Sequence, residues 1–186
     1  MISRRDITAT EQSIDGRTVA GYAAVYGQDS REIVENGRKF VERIAPGAFN
    51  DTLSSGADVK LYYNHDVSMP LARTKSGTLK LKSDRNGLAF SATLPETTLG
   101  NDVRTLLERG DLTGEMSFGF YVVEDSWSKD RSQRLVKKAQ LVEVSLVQDA
   151  AYPQTSSSLR SVSAAYIDAA NLRLALHFRR MADHVR

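Results

Sequence analysis

Only one histidine falls in the first 153 residues of this chain. His65 ends the run LYYNH (61–65), and the other two histidines lie in the last ten residues. Two more side chains stand out against apolar surroundings: Ser117 in GEMSFGF and Glu143 in LVEVSLV. In a strand alternate side chains share a face. Ser117 would then share a face with Gly119 and Tyr121, opposite Met116, Phe118, Phe120 and Val122. Glu143 would share a face with Leu141, Ser145 and Val147, opposite Val142, Val144 and Leu146. A hydroxyl, an imidazole and a carboxylate are the parts of a nucleophile, a base and the group that orients the base. Each also has a plainer reading. Ser117 could be a surface serine on a half-buried strand. Glu143 could face solvent or pair with Lys137 or Lys138. His65 could be a solvated strand-end residue beside Asp66. Spacing alone leaves these open.

Other chemistries find less support. The order His, Ser, acid matches no short signature. The chain has no G-x-S-x-G elbow, Walker loop or H-E-x-x-H. It has no cysteine, which removes disulfides, thiolate metal sites and a cysteine nucleophile together. A metal site would need several ligands to converge, and most of the chain offers one imidazole. A net charge of +2 over 186 residues is no electrostatic footprint for nucleic acid. No apolar run approaches the ~18 residues of a membrane span, and no apolar stretch follows the two arginines of MISRRDITATEQ. The reading is a cytoplasmic protein with no membrane partner.

Strands must hold these side chains. RTVAGYAAVYG (17–27) and DVKLYYNHD (58–66) read as strands. KFVERIAPGAFNDTL passes from a strand into a helical turn led by Pro46. GTLKLKSDRNGLAFSATLP is a hairpin: Leu79 and Leu81 alternate with polar residues, Asp84 to Gly87 turn the chain, and Leu88, Phe90, Ala92 and Leu94 alternate again. TLGNDVRTLLERG places Leu99, Val103, Leu106 and Leu107 on one helical face, with Gly110 as the stop. EMSFGFYVVEDSW and LVKKAQLVEVSLVQ are strands joined by a charged turn. Six or seven strands and two short helices predict a mainly β, α+β domain over residues 1–155, built as an antiparallel β-barrel. The Ser-rich QTSSS then reads as a linker. Beyond it Val162, Tyr166, Ala170, Leu174, Phe178, Met181 and Val185 form a helical stripe. Residues 159–186 carry five arginines and two aspartates, net +3, leaving −1 on the rest. Residues 156–186 are therefore expected to be a linker and a basic amphipathic C-terminal helix, suited to docking or self-association.

The runs GYAAVYG, ERIAPGAF, YYNHD with PLART, GLAFSATLP, VRTLLERGDLTGEMSFGF and LVEVSLVQDAAYP, in this order over residues 17–155, resemble the prohead proteases of tailed bacteriophages. These are serine endopeptidases of capsid maturation, distantly similar in fold to the herpesvirus assemblin proteases. The resemblance implies an assemblin-like barrel, with His65 as general base, Ser117 as nucleophile and Glu143 as the acid; Asp66 and Asp149 compete for the last role. It implies no cofactor. It implies as substrates the scaffold segment of the major capsid protein, any separate scaffold and the protease itself, cleaved inside the assembling procapsid in the host cytoplasm. Backbone N–H groups would hold the oxyanion, with Arg73 and the turn after Gln148 near the site. The rival reading is a non-enzymatic capsid-assembly or adaptor module with a docking helix.

Overall fold

The computed structural model describes residues 13–35 and 37–147. They form ten strands and two helices. The expected linker and C-terminal helix, with the domain boundary at 155/156, lie outside the described residues.

A four-stranded antiparallel sheet has the order β1 (Ser13–Asp15), β2 (Thr18–Val25), β8 (Gly87–Thr93), β7 (Leu79–Ser83). The β7–β8 hairpin follows the alternation read from sequence: Leu79, Leu88, Phe90 and Ala92 are buried. Its turn is tied by Asp84 Oδ1, which accepts from the N–H groups of Asn86 at 2.8 Å and Gly87 at 3.1 Å. This is the local bonding that suits aspartate to turns.

The second sheet is organised by β10 (Gln133–Val147). Along one edge β10 pairs antiparallel with β9 (Glu115–Trp127). Its other edge is shared. The first part pairs with β4 (Arg38–Ile44), and the last part with β5 (Lys60–Tyr63). β3 (Ile33–Glu35) pairs with β4, and β6 (Asp66–Arg73) pairs with β5. Both β4 and β5 run parallel to β10. The expected antiparallel β-barrel is thereby corrected: among the described residues the ladders form two sheets, the first antiparallel and the second of mixed direction.

Between the β4 and β5 contacts, helix α1 (Asn50–Ser54) lies against β10. Buried Thr52 substitutes for the missing strand there. Its hydroxyl donates to Ala139 O at 3.4 Å and accepts from Leu141 N–H at 3.0 Å, and Ala139 N–H donates to Ala48 O at 2.9 Å. A buried backbone group left unbonded costs about 1–3 kcal/mol, so this one side chain lets β10 continue between two different partners.

Helix α2 (Thr98–Arg109) starts where Thr97 Oγ1 accepts from Gly100 N–H and ends at Gly110, whose φ of 76° suits a residue without Cβ. Val103 and Leu107 are buried, and Leu99 and Leu106 pack beside them, as their spacing predicts. Both sheets feed one hydrophobic core. Val19, Leu88 and Phe90 come from the first sheet, and Leu61, Leu71, Val136, Leu141, Val144 and Leu146 from the second.

Candidate active site

The end of β10 is buried on both faces. Val144 and Leu146 are in the core, while Glu143 and Ser145 alternate with them and are also buried. Strict alternation would put Leu141 with Glu143, but Leu141 belongs to the core. The correction has a local cause. The β9–β10 register shifts between Leu141 and Glu143: Leu141 faces Phe120 and Glu143 faces Gly119, leaving Val142 as an extra residue. A bulge reverses the parity of all residues after it. Here it keeps Leu141 and Val144 in the core and sends Glu143 and Ser145 to the opposite face.

Across the ladder Ser145 faces Ser117. Directly opposed residues share a face, so Ser117, Ser145 and Glu143 lie together on one side of the sheet, with Gly119 across from the glutamate. Phe118 and Phe120 take the other side. They stack at a ring separation of 5.3 Å, pack against the core, and each meets Phe49 edge-on. The apolar half of MSFGF thus anchors the strand, and the small half faces the site.

His65 comes from a separate element. Asn64 and His65 are the two central residues of the β5–β6 hairpin, since Tyr63 pairs with Asp66. Both have positive φ, 50° and 58°, the requirement of a type I′ turn. The left-handed region costs a residue with a side chain about 1–2 kcal/mol, although asparagine tolerates it better than most. The turn is held by Asn64 N–H donating to Leu146 O at 2.8 Å. Strained backbone persists where surrounding structure over-determines it. Here it delivers the imidazole to the Glu143 face.

Nδ1 of His65 lies 2.7 Å from Oε1 of Glu143. The side chains are 16% and 7% exposed. An ionised carboxylate has only acceptors, so this contact puts the imidazole proton on Nδ1 and leaves Nε2 as the base. The second carboxylate oxygen, Oε2, accepts from the Ser145 hydroxyl at 2.6 Å. A buried carboxylate without partners costs several kcal/mol; Glu143 has one partner on each oxygen. Neither lysine is that partner. Lys137 lies 3.8 Å from Glu124, and Lys138 lies 3.5 Å from Asp51.

The other sequence candidates lie elsewhere. Asp66 Oδ1 accepts from the backbone N–H and hydroxyl of Ser68, at 2.8 and 2.6 Å, and these bonds hold its carboxyl below the usual aspartate range. Arg73 faces Lys60, at the end of the β5–β6 hairpin away from His65, and donates to Asp58 at 2.7 Å. Asp149 and the turn after Gln148 lie outside the described residues. Ser145 had no role in the sequence reading. Its signal was its place two residues after Glu143 in EVS, on the same face.

A buried acid on an imidazole beside a serine-bearing strand suits acyl transfer by a serine nucleophile. The family model for the caudovirus prohead serine protease matches residues 4–169. No curated protein and no solved structure matches the chain.

Proposed function

Since the chain belongs to the caudovirus prohead serine protease family, and so is a serine peptidase of prohead maturation, we propose that Ser117, His65 and Glu143 form its catalytic triad. Its substrates are the scaffold segment of the major capsid protein, any separate scaffold, and the protease itself, cut inside the assembling procapsid. Family membership sets aside the non-enzymatic adaptor reading. The observation that carries the triad is the 2.7 Å contact between His65 Nδ1 and Glu143 Oε1, on the sheet face that Ser117 shares.

Ser117 Oγ attacks the scissile carbonyl carbon while Nε2 of His65 takes the hydroxyl proton. Glu143 holds the Nδ1–H tautomer and stabilises the imidazolium. The tetrahedral intermediate breaks its C–N bond, and His65 returns the proton to the leaving amine. Water then attacks the acyl-serine ester, giving its proton to His65. The C–Oγ bond breaks, and Ser117 recovers its hydrogen.

Co-expression with the cognate capsid protein tests the assignment. Ser117→Ala and His65→Ala should each leave the capsid protein at full length while the protease stays folded. Full processing by folded Ser117→Ala would remove Ser117 as nucleophile.

A further inference from the structure

We propose that Ser145 is a positioning residue of this site, acting through Glu143 on His65. The inference rests on the catalytic reading of Glu143 and His65 above.

Ser145 is fully buried, and its hydroxyl donates to Glu143 Oε2 at 2.6 Å. A glutamate side chain has three rotatable torsions, and the last, which orients the carboxylate plane, is broad. The contact to His65 fixes one oxygen only. The Ser145 bond fixes the other, so the plane of the carboxylate is set by two points on opposite sides. Both points are rigid. Ser145 is held by pairing to Ser117 on β9 and to Tyr62 on β5, and the His65 turn is held by Leu146 O.

The same residue links the two halves of the chemistry. It faces Ser117 directly across the ladder while bonding the acid that orients the base. A serine here is not required by packing alone. Its neighbours Val144 and Leu146 fill the core, and an alanine on the other face would fit the same space. A buried hydroxyl needs a partner, and the partner it has is the carboxylate.

The roles separate experimentally. Ser145→Ala in the full chain should fold with a Tm lowered by a few degrees, because Oε2 of Glu143 loses its donor. It should lower kcat for a capsid-derived peptide about tenfold, which is ~1.4 kcal/mol, and leave KM in place. The downfield N–H proton resonance of the His65–Glu143 pair should shift or broaden. Ser145→Thr, which keeps the hydroxyl, should recover most of the rate. In a Glu143→Gln background, removing the Ser145 hydroxyl should cost little more, because a residue that acts through Glu143 has nothing left to position. If Ser145→Ala does not fold, Ser145→Cys, close in size but a weak donor, carries the same comparison. Wild-type kcat in a folded Ser145→Ala or Ser145→Cys variant, an unmoved resonance, or full additivity with Glu143→Gln each overturns the inference. An enzyme whose activity survives Ser117→Ala would instead defeat the triad itself, a separable outcome.

Discussion

Gly119 of β9 stands directly across the ladder from Glu143 of β10, so the carboxylate that meets His65 has no side chain opposite it. Any Cβ at 119 would project onto the face that holds the imidazole. Gly119→Val should therefore keep the fold, because valine suits a strand, and still lose activity. Displacement of a reacting group by about 1 Å costs about a hundredfold in rate, so a loss of at least that size in capsid-peptide cleavage is expected. A folded Gly119→Val variant with wild-type turnover would mean that the space is not used by the His65 ring.

Glu143 and Asp66 should respond in opposite ways. Glu143→Gln retains shape but removes the charge beside Nδ1, a change that in another serine-protease triad costs about four orders of magnitude in kcat. Asp66, the first residue of β6, bonds to Ser68 and not to His65, so Asp66→Asn should cleave at nearly the wild-type rate. Single-turnover kinetics on one peptide decide between them. The reverse pattern would transfer the role of acid to Asp66.

The hairpin that carries His65 depends on Asn64 at a φ of 50°. A β-branched residue there is strained by about 1–2 kcal/mol. Asn64→Val should lower both stability and cleavage, because relief of that strain moves the neighbouring His65. Asn64→Gly takes the same φ without penalty and should cost far less. Equal activity of the two variants would show that the turn does not aim the imidazole.

Thr52 is predicted to matter for stability far more than for chemistry. Thr52→Val preserves volume and strands Ala139 O and Leu141 N–H. Two unsatisfied buried groups cost about 3 kcal/mol together, which for a domain of this size lowers Tm by about 6–12 °C. Calorimetry on the variant checks this. A shift of about 1 °C or less would mean that water or a backbone adjustment replaces the hydroxyl.

Much of this protein was legible in its sequence because much of it is decided locally. The alternation in Leu79–Leu94, the helical face of Leu99, Val103, Leu106 and Leu107, and the long strands around Ser117 and Glu143 all depend on near neighbours, and all occur where expected. The family resemblance likewise rested on runs of adjacent residues, and the family match bears it out. The tertiary structure decided what depends on distant pairing. Direction is one case: β4 and β5 run parallel to β10, an arrangement set by how β10 closes the core and by Thr52 filling the gap between them. The face of Glu143 is another. One extra residue, Val142, reverses the parity of everything after it, and whether a strand bulges depends on its partner's register rather than on its own composition. The contact between His65 and Glu143 spans 78 positions. Nothing in either neighbourhood specifies it, because it requires the β5–β6 turn to be strained, tethered and folded back over β10, and only the assembled sheet supplies the free energy for that.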